Sequence, residues 1–255
     1  MTAVQGRGAL QRLRRATMPA MLAALVAAGV GGCQDEAARA QAQAAAQASA
    51  NEAAASEAAA AFDTAMAAEN WPLAKAQGDV LLARWPDTAA AARIRPRHEE
   101  AKAKAGEARE AARLASLWSY ASTAVPGGQQ VSAAIHAREP LDVDGSGAKP
   151  VQLIFRDHPE WGRSSYLVLK AGDFDCYGSC RVAVSVDDAA PARMAANRPD
   201  TDEAIAMFID DERALWRKLD GAQVLTIDVP VKAGGTRKAV FDVAGLDRAR
   251  MPGWD

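Results

Sequence analysis

The sequence predicts an α+β protein: an N-terminal helical arm that ends in a helical hairpin, followed by an antiparallel β-sandwich-like domain with one helix. Two observations carry this prediction. Residues 36–68 contain neither Gly nor Pro and are dominated by Ala, the strongest helix former. From Trp118 onward, short runs of alternating or β-branched residues lie between turn residues, which is typical of β-strands. We therefore divide the chain into a signal peptide (1–32), a helical tether (33–60), a helical hairpin or arm (61–117) and a β-rich domain (118–255).

The first 32 residues have the composition of a secretory signal peptide. They contain four Arg and no acidic residue, and the basic part is followed by an apolar run from Ala16 to Gly32. This run includes Pro19 and falls short of the roughly 20 apolar residues that a membrane-spanning helix needs. The segment therefore predicts export of the chain rather than a permanent transmembrane helix.

Cys33 directly follows the small residues Val30, Gly31 and Gly32, and this order resembles the lipobox of bacterial lipoproteins. In that family the peptide is cleaved before the cysteine, whose sulfur and new amino group then carry acyl chains. The resemblance implies that acyl chains on Cys33 hold the protein to a membrane, since several chains bind a bilayer far better than one. Gln34, where an Asp would favour retention in the inner membrane, implies the periplasmic face of the outer membrane; the periplasmic face of the inner membrane is the alternative. An ordinary signal peptide with an incidental cysteine is the other interpretation.

The alanine-rich tether shows no sustained heptad of large apolar residues, so a tight coiled coil is not specified. Two interpretations stay open, a solvated spacer helix and a partly disordered tether. Either one would hold the later domain away from the bilayer.

The residues after the tether indicate a helical hairpin. Asn70 is expected to cap a helix with Pro72 in its first turn, Pro86 to end that helix, and Asp87 or Thr88 to cap the next. The order ENWPLA followed by LLARWPDTAAAA resembles a tetratricopeptide-type hairpin. One such unit is too short for a peptide-binding array, because stacked repeats need about three copies to bury a core.

Several side chains of the hairpin have expected places. Trp71 and Trp85 are expected in its core, Pro96 is expected to kink the last helix, and His98 is expected at the surface. Helical spacing predicts that one face of the first helix combines Leu73, Ala76, Val80 and Leu81.

The C-terminal domain is predicted to be mainly strands. The clearest candidates are residues 151–157, 164–171, 181–187, 223–231 and 237–243, with one or two earlier strands in WSYASTA and QQVSAAIHA. Gly234 and Gly235 predict a tight turn between the last two strands. One helix, capped by Asp210 or Asp211 and ended by Gly221, is expected to pack on the sheet.

Cys176 and Cys180 are the remaining cysteines. An exported protein meets an oxidising compartment, so a structural disulfide between them is the favoured interpretation. A thioredoxin-like site would need C-x-x-C at the start of a helix, and zinc would need two further ligands nearby. The disulfide would mainly hold a turn in place.

The C-terminal half resembles two families of small exported β-sandwich proteins. These are the TagO-type accessory proteins of type VI secretion and the invasion-associated locus B family. The resemblance is carried by CRVAVSVDD, by AMFIDDERALWRKLDGAQVLTIDV and by a final F-x-x-x-GL at Phe241–Leu246. It implies a β-sandwich fold and an exported location, and it brings no catalytic residue with it.

Residues that could support catalysis are few. His136 has no nucleophile among its sequence neighbours, whereas His158 has Asp157 and Glu160 nearby, a fragment of a metal site. An enzyme would need these groups to converge with the aspartates at strand ends: Asp173, Asp175, Asp187 and Asp188. LDVDGSG at 141–147 lacks the glutamate of a calcium loop and predicts a polar turn. We therefore expect neither a metal nor a cofactor, and we expect the protein not to be an enzyme.

Trp161 is the strongest candidate for partner binding, together with Arg156 and Arg163. It lies in a predicted loop, and aromatic and Arg side chains are enriched at interface hot spots. The alternative is that Trp161 folds back over the end of the core.

The predicted function is that of a bacterial envelope lipoprotein acting as a non-catalytic accessory or binding module that faces the periplasm. Its expected partners are the membrane and an envelope protein. A net charge of −2 and a pI near 6.0 offer no basic surface for nucleic acid. The alternatives are a periplasmic metal-dependent or hydrolytic enzyme and a structural spacer.

Overall fold

A computed structural model describes residues 31–199 and 206–254 of the chain, with side chains from residue 35 onward. The predicted signal peptide therefore lies outside the described residues except for the backbone of its last two positions. The side chain of Cys33, the predicted lipid anchor, also lies outside them.

The N-terminal part of the described chain consists of the helices α1 (Gly31–Ala67), α2 (Trp71–Arg84) and α3 (Ala89–Ser116). Short connections between them make consecutive helices antiparallel neighbours. Side chains 35–50 of α1 are all exposed, while Ala55, Ala59 and Phe62 are fully buried against α2 and α3. The first half of α1 thus projects as a solvated helix, and the packed bundle begins near residue 51.

Polar side chains cap the helices as the sequence predicts. The Asn70 side chain accepts a hydrogen bond from the Leu73 N–H, and Thr88 Oγ1 accepts one from the Ala91 N–H. An additional cap comes from α1, where the Glu52 carboxylate accepts hydrogen bonds from the N–H groups of Ala89 and Ala90 at 2.8 and 3.0 Å. A carboxylate at a helix N-terminus is stabilising, so this contact ties α3 to α1.

The helix face that combines Leu73, Ala76, Val80 and Leu81 is buried only in part, at Leu81. Leu73 and Val80 are 44% and 48% exposed, and the buried residues are Ala74, Gly78 and Leu81. Small residues at this face let α3 approach closely: a Cβ on Gly78 would lie 2.4 Å from Cδ2 of His98. Close packing of backbone against a ring therefore takes precedence over burying the larger side chains.

The prediction of a surface position for His98 is wrong. His98 is 7% exposed, and its Nε2 lies 2.8 Å from Oδ1 of Asp79 on α2. The space above Gly78 accommodates the ring, and the Asp79 carboxylate satisfies its polar edge. α3 continues through Pro96 as one helix.

The β domain forms, within the described residues, one antiparallel sheet of nine strands in the order β1-β2-β3-β4-β7-β6-β5-β8-β9. The strands are β1 (Trp118–Val125), β2 (Gly128–His136), β3 (Val151–His158), β4 (Gly162–Leu169), β5 (Cys180–Val186), β6 (Ala192–Asn197), β7 (Ala206–Ile209), β8 (Val224–Pro230) and β9 (Thr236–Asp242). The predicted strands match β1–β5, β8 and β9. The prediction missed β6 and β7, because ARMAAN is rich in alanine and β7 has only four residues.

The sheet encloses one hydrophobic core, which confirms the predicted α+β, sandwich-like domain. Inward side chains from strands across the sheet, including Leu153, Val184 and Phe241, belong to the same buried cluster. Just after β2, the Arg138 N–H donates to the Val240 carbonyl on β9, so the second strand reaches the far edge strand. The sheet therefore curls around its core.

The predicted helix is present as α4 (Glu212–Lys218), with Asp211 as its N-cap. Its Trp216 packs edge-on against Phe155 of β3, with ring centroids 5.1 Å apart, and Trp254 packs against Phe155 in the same way at 5.3 Å. A short 3-10 helix, Arg248–Arg250, lies between β9 and Trp254.

The helical arm meets the β domain after β9. A Cβ on Gly245 would lie 2.2 Å from the backbone carbon of Leu114 at the end of α3, so only glycine fits there. This close approach sets the junction between the two parts of the chain.

Candidate functional site

Trp161 lies in the turn between β3 and β4 and is 66% exposed. Its indole stacks on the imidazole of His158, with ring centroids 4.0 Å apart and planes inclined by 10°. The ring therefore does not fold over the end of the core; it presents one face to solvent.

His158 holds this turn in place. It is 5% exposed, and its Nδ1 accepts hydrogen bonds from the backbone N–H groups of Glu160 and Trp161 at 3.1 and 3.2 Å. A nitrogen that accepts these bonds carries no proton, so in this geometry the neutral ring carries its proton on Nε2. Two backbone bonds and a ring stack thus set the position of Trp161 before any partner binds.

Arg156 continues the surface from Trp161 across the outer face of the sheet. Its guanidinium carbon lies 5.4 Å from the Trp161 ring centroid and 5.4 Å from that of Tyr166. Tyr166 in turn packs against Phe208 of β7, with centroids 5.0 Å apart. We call Trp161, Arg156, Tyr166 and Phe208 the outer aromatic patch.

The electrostatics of the outer aromatic patch are those of a cation between aromatic rings. Burial raises the pKa of the Tyr166 hydroxyl, and the Arg156 charge opposes this rise only in part. The hydroxyl is therefore a neutral donor at physiological pH. A guanidinium close to aromatic faces is attracted by their ring quadrupoles, which favours a fixed Arg156 side chain.

The structure does not place Arg163 with the other two predicted residues. In the register of β3 and β4, Arg163 pairs with Asp157, whereas Arg156 pairs with Ser164. Because side chains alternate between the faces of a sheet, Arg163 points to the face opposite the outer aromatic patch. There, its Nη1 donates to the Gly253 carbonyl.

Sequence reasoning did not identify Tyr166 and Phe208 as part of the patch. The alternation within β4 could have identified Tyr166. Its neighbours Ser165 and Leu167 are buried on the core side of the sheet, so Tyr166 lies on the outer face. Phe208 lies on a strand that the sequence did not reveal.

The candidate catalytic histidines are far apart. His136, at the end of β2, pairs with Gln152 near the start of β3, and His158 is the last residue of β3. Six residues of extended strand separate these positions, a span of about 20 Å. Because Nδ1 of His158 already accepts two backbone hydrogen bonds, only its Nε2 is left to bind a metal ion.

The aspartates do not cluster either. Asp175 N–H bonds to Pro230 at the end of β8, whereas Asp187 Oδ1 accepts from Val224 N–H at its start. Asp173 is engaged in an ion pair with Arg198 at 2.8 Å. No group of three or more His, Cys, Asp or Glu in the described chain could hold a metal ion.

Cys176 and Cys180 form a disulfide, as the sequence predicts. The turn that it closes carries Tyr177, whose hydroxyl donates to the Asp173 carboxylate. Arg198 and Lys232 lie over the Tyr177 ring, at 4.8 and 5.2 Å from its centroid. The disulfide thus closes a turn whose tyrosine belongs to a cluster of charged and polar side chains.

The predicted location of the chain rests on a lipid anchor at Cys33, and the structure does not describe the side chain of this residue. Among the helices of residues 31–199 and 206–254, none is long and apolar enough to cross a bilayer.

No protein-family model matches this chain, and no curated protein and no solved structure matches it either. Its function is therefore inferred from its own residues.

Proposed function

We propose that this protein is a non-catalytic binding module of the bacterial envelope, and that its β domain binds an envelope protein through the outer aromatic patch. One observation carries the proposal: Trp161 is 66% exposed, yet its ring is held by a buried histidine beside Arg156.

This arrangement suits a protein interface for two reasons. Trp, Tyr and Arg are the residues that dominate interface hot spots, and three of the four patch residues are of these types. A side chain that is already immobilised also loses less conformational entropy on binding, so more of the contact energy contributes to affinity.

The proposed location follows from the N-terminal sequence. Acyl chains on Cys33 would hold the chain at the periplasmic face of the outer membrane, with the inner membrane as the alternative. The exposed helix from residue 35 to residue 50 would then act as a spacer of about 24 Å. It would keep the β domain clear of the lipid headgroups and leave the patch accessible.

The separation of His136 from His158, and of Asp175 from Asp187, supports binding over catalysis. Hydrolytic and metal-dependent chemistry needs these groups within hydrogen-bonding or coordination distance of one reacting atom. The exposure of Trp161 likewise favours a binding role over that of a passive spacer.

Crosslinking in intact cells tests the proposal, followed by capture of the mature protein and mass spectrometry. We compare the wild type with Trp161→Ala and Arg156→Ala, and use Leu73→Ala, another exposed apolar residue but on α2, as the matched control. We expect one dominant envelope protein that is lost from Trp161→Ala, reduced in Arg156→Ala and retained by Leu73→Ala. An unchanged set of captured proteins in all variants, or none in the wild type, would overturn the proposal.

A further inference from the structure

A second feature of the β domain lies away from the outer aromatic patch. Between β4, α4 and the 3-10 helix there is a cleft of about 260 Å³. Its walls consist of four arginines and two tryptophans, namely Arg163, Arg213, Arg217, Arg248, Trp216 and Trp254.

Two of the four guanidinium groups are positioned by backbone oxygens. Arg163 Nη1 donates to the Gly253 carbonyl, and Arg248 Nη2 donates to the Trp216 carbonyl at 2.9 Å. The Arg248 guanidinium also lies 4.8 Å from the Trp216 ring centroid. A carbonyl has no net charge, so the contact of Arg163 orients that cation without neutralising it.

The other two arginines extend from one face of α4. Arg213 and Arg217 are four residues apart, a spacing at which like charges face each other and destabilise a helix. Both are exposed, and within residues 31–199 and 206–254 neither lies within 4.0 Å of an acidic side chain as an ion pair. The side chain of Asp211, the N-cap of the helix, accepts a hydrogen bond from the Ala214 N–H. An anion between the two guanidinium groups would remove their repulsion.

We propose that this cleft binds a phosphate group, either free phosphate or the phosphomonoester of a larger molecule. A phosphate carries a charge of roughly −1.5 to −2 at pH 7 and three acceptor oxygens, which match several guanidinium forks better than a single carboxylate does. The buried rings of Trp216 and Trp254 form an apolar wall, which lowers the local dielectric constant and strengthens the attraction.

The size of the cleft limits the ligand. Sites for small organic molecules usually enclose roughly 300–1,000 Å³, so this cleft accommodates a phosphate and little of what is attached to it. The remainder of a larger ligand would extend into solvent. This site differs from the proposed protein interface, because Arg163 points to the sheet face opposite the outer aromatic patch and the cleft contains none of the four patch residues.

Isothermal titration calorimetry on the purified full chain at low ionic strength tests the proposal. Inorganic phosphate and glycerol 3-phosphate are the two probes, and acetate is the carboxylate comparison. The test variant is Arg213→Gln/Arg217→Gln. Its matched control is Arg181→Gln/Arg193→Gln, which removes the same charge from exposed arginines of β5 and β6.

We expect saturable phosphate binding that weakens at least tenfold in the α4 variant, remains within about twofold in the control, and declines as salt is added. Tighter binding of glycerol 3-phosphate than of phosphate would identify a phosphomonoester as the ligand source, and the reverse order would identify free phosphate. Either result supports the site. The proposal fails if the wild type shows no saturable binding, if acetate binds as tightly as phosphate, or if both double variants lose binding equally.

Discussion

The imidazole of His158 and the indole of Trp161 stack at a centroid distance of 4.0 Å, with one ring buried and the other mostly exposed. This pair links the core of the β domain to its surface. His158 is bonded to the turn backbone, and the turn backbone determines where Trp161 stands. The position of the exposed Trp161 therefore depends on the position of the buried His158 beneath it.

Replacement of His158 by Ala is expected to release Trp161 without unfolding the domain. The substitution removes the stack and leaves the Glu160 and Trp161 N–H groups without their acceptor, so we expect a loss of about 1–3 kcal/mol in the free energy of unfolding. Fluorine NMR of fluorotryptophan-labelled protein should show a narrower Trp161 resonance, and capture of the envelope partner should decline. His136→Ala, an exposed histidine at the end of β2, is the control. A Trp161 resonance that is unchanged in His158→Ala would contradict the role given to the stack.

Asp173 is expected to make stability depend on pH in the acidic range. Burial raises its pKa, but hydrogen bonds from the Tyr177 hydroxyl and the Arg198 guanidinium outweigh burial and hold the pKa below its ordinary value. Asp173 therefore binds a proton less readily in the folded state than in the unfolded state, in which the pKa of an Asp is about 3.9. The stabilisation from Asp173 is complete above that value and is lost as the pH falls through the lower, folded pKa.

Urea unfolding of Asp173→Asn between about pH 2 and pH 7 checks this expectation. The variant should lose about 2 kcal/mol near neutrality, since hydrogen bonds to charged groups are worth roughly that much. It should also show a flatter decline of stability below about pH 4 than the wild type. Asp175→Asn, an exposed carboxylate of the same loop, should retain the wild-type profile. Parallel pH profiles for wild type and Asp173→Asn would show that Asp173 does not carry the effect.

Two glycines of the helical arm are expected to respond oppositely to alanine. A Cβ at Gly78 would lie 2.4 Å from the buried His98 ring, whereas a Cβ at Gly106 would meet no atom within 4 Å. Alanine favours a helix over glycine by about 1 kcal/mol, so Gly106→Ala should raise the melting temperature. Gly78→Ala should lower it, because overpacking of a close contact costs about 1–3 kcal/mol and exceeds that gain. Thermal unfolding by circular dichroism measures both, and equal stabilisation by the two substitutions would show that α2 and α3 are not in close contact at Gly78.

Local sequence patterns predicted most of the elements. The period of two in VQLIFRD and VLTIDVP identified β3 and β8, and Asn70, Thr88 and Asp211 identified three helix starts, because alternation and capping are properties of neighbouring residues. Tertiary packing overrode the pattern in α2. There, the small residues Ala74 and Gly78 are buried and the larger Leu73 is exposed.

The candidate site was predicted only in part, because only some of its residues are recognisable from local sequence. Trp161 and Arg156 were identifiable from residue type and from their place near a turn. Their relation to Tyr166 and Phe208 depends on the pairing of β4 with β7, which no short segment encodes.

The sequence by itself determined the division of the chain into arm and β domain, the disulfide pair and the prominence of Trp161, since each depends on residues close together in the chain. Only the tertiary structure decided that β7 and β6 lie between β4 and β5, that His158 supports Trp161, and that Arg163 joins Arg213, Arg217 and Arg248 around one cleft. The physical reason is the same in each case. These contacts join segments tens of residues apart, and their positions depend on how the strands pair and on which side chains can be buried together.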